Sequence, residues 1–158
     1  MRIEIRMIGT SKGHEFALFE DYRTRTQKMG KKVGLKEITL SQLSEKKKLT
    51  GEKRKTAEAT LLQKNTDKTA TKIALTEKGE ALTSQAFAQK MAHWLQAQNP
   101  LTFFIGGADG LDTTLIKNAD FRLSLSPLTF PHRLVLPILA EQIWRSISIL
   151  QNHPYHRE

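Results

Sequence analysis

The sequence predicts a single α/β domain with a largely parallel sheet. Segments with strand-like and helix-like patterns alternate along its 158 residues, the order expected when each strand is followed by a crossover helix. The run Leu101–Ile105 is apolar on both faces, which is typical of a buried central strand. Hydrophobic residues make up 39% and charged residues 26% of the chain, the composition of an ordinary globular domain.

Hydrophobic patterns, helix caps and turn residues define the individual elements. Five segments have strand patterns: Arg2–Ile8, 33–40, 71–76, Leu101–Ile105 and 121–126. Helices are predicted from a cap at Ser11 to near Gly30, in two pieces of 41–65 broken at Gly51, from a cap at Thr83 to Asn99, from a cap at Asp112 to Lys117, and from Leu134 to Leu150. The last helix is placed to start at Leu134 because Pro137 is tolerated in a first turn but costs about 3 kcal/mol in a helix interior.

The balance of charge points to a polyanionic partner. The formal net charge is +9, and a compact domain this basic repels itself unless it meets RNA, DNA or an anionic membrane. The chain has no cysteine, which excludes disulfides and thiolate metal sites. No apolar run approaches the roughly 20 residues of a membrane-spanning helix, and the first residues lack the apolar core of a signal peptide. A cytoplasmic location is therefore expected.

A basic stretch at 46–55 has two interpretations. Its lysines and arginines outnumber its acidic residues, and apolar residues are sparse until Leu61. Such charge runs usually form a solvated helix face. Given the charge of the whole chain, the stretch equally suits an arm that grips the phosphates of a nucleic acid.

A glycine-rich turn at 106–110 follows the predicted central strand directly. Glycine has no Cβ, so the backbone of such a turn can approach a ligand closely. The spacing matches neither G-x-G-x-x-G nor G-x-x-x-x-G-K-[ST], which argues against a dinucleotide or phosphate loop. A tight connection between a strand and a helix accounts for the same glycines without any ligand.

The polar tail at 152–158 and the histidines near it are the remaining candidates for chemistry. Terminal residues normally fray, yet His153, Tyr155, His156 and Arg157 are all suited to stacking, hydrogen bonding or proton transfer. A metal site is not expected, because no cysteine accompanies the histidines and the nearby carboxylates lack a diagnostic spacing. The chain also lacks the G-x-S-x-G elbow of serine hydrolases.

Four motifs in a fixed order carry a resemblance to a known family. They are the segments 105–110, 125–132, 140–145 and 152–158, and the last is the most specific. Together they resemble the bacterial ribosomal RNA large-subunit methyltransferases that methylate N3 of a pseudouridine, small members of the SPOUT superfamily. The resemblance extends over 1–158 as one domain. It departs from the family pattern at Thr76, Leu136 and Trp144, where an aspartate, an arginine and a tyrosine are usual.

This resemblance implies a fold, a cofactor and an assembly. The fold would be a mostly parallel sheet, flanked by helices, whose C-terminal part forms a deep trefoil knot. S-adenosylmethionine would bind in the knot, without any metal, and the protein would act as a homodimer on 23S rRNA, at the loop of helix 69 in the assembled 70S ribosome. The positions that match the family's cofactor contacts are Leu75, Gly106, Gly107, Leu125, Ser126, Pro127, Leu128, Thr129 and Phe130.

The resemblance also implies roles for the tail, which would complete the pocket of the other subunit. We hypothesise that His156 or His153 accepts the N3 proton or stabilises the deprotonated base, since an imidazole titrates near neutrality. Arg157 would offset negative charge on the base or bind a phosphate, and Tyr155 would stack or hydrogen-bond. Two alternatives stay open: a non-catalytic, ribosome-associated RNA-binding protein, and a methyltransferase of the same fold that modifies another nucleotide.

Overall fold

A five-stranded parallel sheet forms the centre of the structure, a computed structural model that describes residues 1–44 and 48–156. The elements in chain order are β1 (Arg2–Ile8), α1 (Gly13–Gly30), a 3-10 helix (Lys31–Val33), β2 (Glu37–Leu43), α2 (Gly51–Gln63), β3 (Thr71–Ala81), α3 (Ser84–Ala97), β4 (Leu101–Ile105), α4 (Thr113–Asn118), β5 (Phe121–Ser124) and α5 (His132–Leu150). The strand order is β2-β1-β4-β3-β5, and every neighbouring pair is parallel. The predicted α/β class with a parallel sheet is confirmed.

Helices cover both faces of this sheet. Side chains from α1, α3 and α5 form one apolar core with the sheet, and α5 packs against both of the other helices. Side chains from α2 and α4 form a second core on the opposite face. Strand β4 contributes to both, because Phe103 belongs to the first core and Phe104 to the second. Both rings are almost fully buried, so the prediction of a central strand at Leu101–Ile105 is confirmed.

Buried Arg6 fastens α2 to the sheet. Its guanidinium donates hydrogen bonds to the carbonyls of Leu62 and Lys64, both at 2.7 Å, and to that of Leu61 at 3.3 Å. These are carbonyls at the C-terminal end of the helix, where the regular hydrogen bonds between successive turns run out. Glu4 balances the charge of Arg6 through an ion pair at 2.7 Å. This contact fixes the position of α2 relative to β1.

The N-terminal boundaries differ from those predicted. Lys12, not Ser11, is the N-cap of α1, and it makes no side-chain capping hydrogen bond. Ser11 precedes the helix, and its backbone N–H donates to Gln42 Oε1 at 2.5 Å. The second strand is Glu37–Leu43 and not 33–40. Gly34, with φ of +85°, ends the short 3-10 helix and delays the strand.

The prediction of two helices in 41–65 was wrong. The first part of this segment extends β2, which pairs with β1 as far as Leu43 opposite Ile8. A single helix then begins at Gly51. Lys46 and Lys47 of the basic stretch lie outside the described residues.

The last strand and helix also have shifted ends. β5 stops at Ser124 instead of 126, and α5 begins at His132 instead of Leu134. Pro131, with φ of −55°, starts the helix, and its carbonyl accepts from Leu134 N–H at 2.9 Å. Pro137 consequently stands in the second turn, not the first, and is buried there in the core.

Candidate functional site

A cavity of about 700 Å³ lies beyond the carboxyl ends of the adjacent strands β4, β3 and β5. Three segments line it: the glycine turn 106–110, the loop 125–131 and the start of a bulge in β3. Ligands of parallel sheets bind in the crevice at this end of the strands. The volume lies within the range of small-molecule sites, roughly 300–1,000 Å³. This cavity is the candidate ligand site.

The glycine turn forms one wall of the cavity with bare backbone. A Cβ on Gly106 would lie 2.6 Å from the carbonyl carbon of Gly110, closer than real Cβ atoms come to other atoms. Gly110 has φ of +77°, and its N–H donates to the carbonyl of Gly107 at 3.0 Å. The turn is therefore a tight connection and also lines the cavity. These glycines thus serve both as a structural turn and as a backbone wall that a ligand can approach.

The loop 125–131 closes the opposite side of the cavity. Ser126 orders it, since its carbonyl accepts from Ser124 Oγ and its own Oγ accepts from the N–H of Leu128, both at 3.0 Å. The Leu128 side chain is 70% exposed, an apolar group left at the rim. The predicted cofactor positions that line the cavity are Leu75, Gly106, Gly107, Leu125, Ser126, Leu128, Thr129 and Phe130. Pro127 belongs to the same loop but does not line the cavity.

A bulge in β3 supplies the third wall. Leu75 and Glu80 both pair with Leu123 of β5, so the residues 76–79 between them are extra and leave the sheet. Gly79 allows the chain to return, because a Cβ there would lie 2.7 Å from the carbonyl carbon of Leu123. The predicted strand 71–76 is thus the first part of a longer, interrupted strand. Thr76, in the bulge, lines the cavity.

Two carboxylates and one imidazole in the cavity were missed by the sequence prediction of cofactor contacts. Glu77 and Asp109 line the cavity, as does His132 at the start of α5. His132 also packs on Gly9, where a Cβ would lie 3.0 Å from its Nε2 atom. Asp109 forms an ion pair with Arg54 of α2, whereas Glu77 has no ion pair with another described residue and can attract a cationic ligand group. The available signal was that Glu77 directly follows the predicted strand 71–76 and that Asp109 belongs to the glycine turn after Leu101–Ile105.

Helix α2 is bound to the back of the glycine turn. Arg54 forms an ion pair with Asp109 and lies 3.9 Å from Glu58. Thr56 Oγ1 donates to Asp112 Oδ2 at 3.4 Å. Movement of α2 would therefore change the wall of the cavity.

The described part of the basic stretch is partly neutralised within the chain. Arg54 pairs with Asp109, and Lys55 pairs with Glu52 at 2.7 Å. Lys48 and Lys53 are exposed and have no ion pair with another described residue. These two lysines are available to an external phosphate, and both interpretations of the stretch stand.

The tail turns back on α5 through a defined helix-ending motif. The N–H of Asn152 donates to the carbonyl of Ile149 at 3.1 Å, and that of His153 donates to the carbonyl of Ser148 at 2.9 Å. Asn152 has φ of +52°, in the left-handed region. This pair of bonds is the Schellman arrangement, with asparagine in the place where glycine is most common. The tail therefore leaves the helix in one direction.

Side chains of α5 hold the described tail residues. The Trp144 ring lies 5.8 Å from that of His153 and 5.7 Å from that of Tyr155, measured between centroids. The Arg145 guanidinium lies over the Tyr155 ring at 4.8 Å. Arg145 Nη1 and His156 Nδ1 are 3.4 Å apart. Residues 152–156 are therefore ordered against α5 and are not a frayed end. Arg157 lies outside the described residues.

Glu141 is the polar anchor of this arrangement. Its Oε1 atom accepts from Tyr155 Oη at 2.9 Å and from Arg145 Nε at 2.9 Å, and Tyr22 Oη of α1 lies 3.4 Å from Tyr155 Oη. Burial raises the pKa of Tyr155, and its hydrogen bonds to Tyr22 and Glu141 raise it further. The hydrogen bond to Glu141 also raises the pKa of Arg145. Tyr155 is therefore a protonated donor and Arg145 a fixed cation. Glu141 and Arg145, four residues apart on α5, also form an ion pair.

The tail and the cavity lie at different places along α5. No residue of the described tail, 152–156, lines the cavity. His132 and Val135 of α5 line the cavity, whereas Glu141, which binds the tail, stands about 9 Å beyond Val135 along the helix axis. The structure thus does not bring the predicted catalytic and cofactor-binding residues together within one chain.

Within 1–44 and 48–156, no three His, Asp or Glu side chains are grouped so that they would hold a metal ion. In the same part of the chain, no helix has the length and apolar character needed to cross a membrane.

Comparisons with known proteins identify the family. A family model described as "Predicted SPOUT methyltransferase" matches residues 1–156. The chain is 42% identical to the ribosomal RNA large subunit methyltransferase H of Rhizobium rhizogenes, over 99% of both chains. It is 38% identical to the protein of the same name from Paracoccus denitrificans, over 100% of both. The chain therefore belongs to the SPOUT methyltransferases and, within them, to the ribosomal RNA large subunit methyltransferase H family.

A solved structure agrees on the fold. The probable methylase family protein of Haemophilus influenzae matches 99% of this chain and 70% of its own with a TM-score of 0.53, at 12% identity. At that identity, the similarity concerns the fold alone. The loop 125–131 and the turn 106–110 share one cavity, an arrangement compatible with the expected trefoil knot, and the knot itself stays a prediction.

Proposed function

We propose that this protein is an S-adenosylmethionine-dependent methyltransferase that modifies N3 of a pseudouridine in the helix 69 loop of 23S rRNA. It would act as a homodimer on the assembled 70S ribosome. Membership of the family supports methyl transfer, and the names of the relatives support ribosomal RNA as the substrate. The observation that carries the proposal is the cavity, whose wall of bare glycine backbone lies beyond the carboxyl ends of β3 to β5.

The residues of the cavity fit the cofactor. Gly106 and Gly107 form a cradle that a side chain would fill, and Leu75, with the loop 125–130, supplies apolar and backbone contacts. Glu77 supplies negative charge for a ligand that carries cationic groups. When bound, S-adenosylmethionine supplies a methyl group already activated on a sulfonium. The protein has only to hold the nucleotide in line with that group and to help the N3 proton leave.

The tail is the proposed source of that help. His156 or His153 would accept the N3 proton or stabilise the deprotonated base. Tyr155 would hydrogen-bond or stack with the base, and Arg157 would offset its negative charge. The base would have to swing out of its RNA loop to reach the cavity, as in other enzymes that modify bases.

The separation of tail and cavity supports a homodimer. Within one subunit, Glu141 holds the tail about 9 Å further along the axis of α5 than Val135, which lines the cavity. A second subunit arranged about a two-fold axis would bring each tail to the other cavity, because an isologous interface exchanges the same surfaces in both directions.

Ribosomal RNA phosphates would be bound by the basic surface. The net charge of +9 and the exposed Lys48 and Lys53 support this role. Phosphate contacts position an RNA without reading its sequence, so we expect recognition of the assembled ribosome and weak binding to the isolated RNA. Binding should weaken steeply with salt, because each neutralised phosphate releases counterions.

The test combines cofactor binding with methylation. Calorimetric titration with S-adenosylmethionine, together with the mass in solution, should show saturable binding to a dimer. Incubation with 70S ribosomes should add one methyl group to a pseudouridine, mapped by mass spectrometry of 23S rRNA fragments. A methyl group on another nucleotide would favour the alternative target. Absence of cofactor binding even with ribosomes present would favour the non-catalytic RNA-binding protein.

A further inference from the structure

The two imidazoles of the tail are held in the same way, through their Nδ1 atoms. His153 Nδ1 accepts a hydrogen bond from the backbone N–H of Tyr155 at 3.2 Å. His156 Nδ1 lies 3.4 Å from Arg145 Nη1. Pro154 separates the two in sequence, and the Schellman turn at Asn152 sets the direction of the segment. Because Nδ1 of each ring is already in a polar contact, only Nε2 remains for a hydrogen bond to a substrate.

Both partners of these rings are donors only. A backbone N–H and a guanidinium N–H have no lone pair to offer, so Nδ1 is the acceptor in each contact. A neutral imidazole carries one proton and one lone pair. With its lone pair engaged at Nδ1, each ring carries its proton at Nε2. His153 and His156 are therefore set as Nε2–H donors, and the lone pair that would accept a proton is occupied.

The surrounding charges favour this state of His156. A proton on Nδ1 would face the N–H of Arg145, donor against donor, and a ring protonated at both nitrogens would also place two cations together. Arg145 cannot move away freely, since its Nε atom is bonded to Glu141 at 2.9 Å. The other polar groups around the tail come from α1: Tyr22, which contacts Tyr155, and Arg25, which lies over the Tyr22 ring at 5.8 Å.

Apolar packing keeps His153 and Tyr155 in place. The Trp144 side chain is buried, and its ring contacts both of theirs. Tyr155 Oη donates to Glu141 at 2.9 Å. The tail is thus organised by its own subunit before any substrate or second subunit arrives, which lowers the entropy lost when it acts.

We propose, on the basis of the proposed function, that the tail is a preorganised set of hydrogen-bond donors and that neither imidazole accepts the proton of the target base. N3 of a pseudouridine lies between two carbonyl groups, and its negative charge after deprotonation spreads onto their oxygens. The Nε2–H groups of His153 and His156 bind these oxygens, in the manner of an oxyanion hole. The N3–H bond breaks and its proton passes to water or hydroxide. The N3 lone pair then forms the bond to the methyl carbon while the carbon–sulfur bond breaks and leaves its electron pair on sulfur.

The first test measures the tautomers directly and needs no activity. The chain has five histidines, so the imidazole nitrogens of the ¹⁵N-labelled dimer are resolvable by long-range ¹H–¹⁵N NMR. His153→Gln and His156→Gln assign the signals of the two tail rings. We expect both rings at neutral pH to be protonated at Nε2 and bare at Nδ1. A ring protonated at Nδ1 with a bare Nε2 would overturn the inference for that residue.

The second test compares two substitutions of His156. The amide of glutamine places an N–H near the position of Nε2 but does not act as a base, whereas alanine supplies neither. We expect His156→Gln to retain single-turnover methylation of 70S ribosomes within about tenfold of wild type, and His156→Ala to lose roughly 100-fold, the usual effect of one lost oxyanion donor. Equal losses in both variants would overturn the proposal in favour of a general base. His93→Gln, at an exposed position of α3, is the matched control and should be unchanged.

The pH dependence separates the same two mechanisms. If solvent takes the proton, the wild-type rate should keep rising with pH above 7, following ionisation of N3. A rate that levels off near neutral pH, as a general base in the tail would produce, would contradict the proposal. Should the wild-type protein fail to methylate ribosomes at all, the proposed function falls, and the NMR measurement still decides whether the tail rings are donors.

Discussion

Gly106 shows how a single residue sets the wall of the cavity. Substitution by alanine would place a Cβ 2.6 Å from the Gly110 backbone, which has no flexible side chain to move aside. We expect Gly106→Ala to destabilise the protein by about 2 kcal/mol or more, since overpacking against backbone forces the chain to shift. Cofactor binding should be lost with it. Urea unfolding and calorimetric titration measure the two effects.

Gly110→Ala is the matched control in the same turn. A Cβ there meets nothing within 4 Å, so its only cost is the left-handed φ of +77°, about 1 kcal/mol. If Gly106→Ala binds S-adenosylmethionine as wild type does and is no less stable than Gly110→Ala, the backbone of Gly110 does not lie as close to Gly106 as described.

Tyr155 makes a prediction about alkaline pH. Its pKa is raised by burial and by its hydrogen bonds to Tyr22 and Glu141. The unfolded chain then ionises this phenol first, near pH 10, while the folded chain keeps the proton. The folded state binds more protons in that range, so its stabilisation is complete below pH 10 and is lost as the pH rises further.

The measurement is urea unfolding at pH 9 and pH 11. Wild type should lose more stability between the two than Tyr155→Phe, because only wild type carries the shifted group. Ionisable groups away from this contact are the same in both proteins and cancel in the difference. The same loss in both proteins would show that the Tyr155 phenol is not held as described.

At the scale of elements, the turn after α5 controls where the tail goes. Asn152 stands in the left-handed region at φ of +52°. Glycine occupies this region freely and alanine does not, so Asn152→Ala should lower stability by about 1 kcal/mol and Asn152→Gly should not. Chemical denaturation measures the stability. Methylation should fall in the alanine variant, because the donors of the tail lose their orientation. A stable, fully active alanine variant would contradict this account of the turn.

At the scale of the whole molecule, the separation of tail and cavity predicts complementation between subunits. A heterodimer can be purified with two different tags, with His156→Ala in one subunit and Thr129→Trp, which fills the cavity, in the other. Neither parent homodimer has an intact composite site. The heterodimer has one intact site out of two, formed by the unmodified cavity of one subunit and the unmodified tail of the other. We expect it to recover roughly half of wild-type activity. A heterodimer no more active than its parents would place each tail in the cavity of its own subunit.

Local signals made much of the fold predictable. The caps Thr83 and Asp112 accept hydrogen bonds from the first N–H groups of their helices, as their residue types predict. Burial of Leu101–Ile105 follows from its apolar character on both faces. The glycine turn lies where its sequence, directly after that strand, predicts. Each of these depends on a few consecutive residues whose chemistry admits one arrangement.

Where two distant segments meet, the sequence alone was insufficient. The end of β2 at Leu43 depends on its pairing with β1, and the bulge at 76–79 appears only when Leu75 and Glu80 are both set against Leu123. Glu77, Asp109 and His132 likewise come from three separate segments and meet in the cavity only after the chain has folded.

The sequence by itself determined the α/β class, the central strand, two helix caps and, through its four motifs, the family. Only the tertiary structure decided which walls enclose the cavity and how α5 holds the tail. It also decided which nitrogen of each tail imidazole is engaged, because that depends on Arg145 and on the turn at Asn152. Short-range sterics and backbone hydrogen bonding are encoded residue by residue, whereas the chemistry of a site depends on contacts that exist only after the chain has folded.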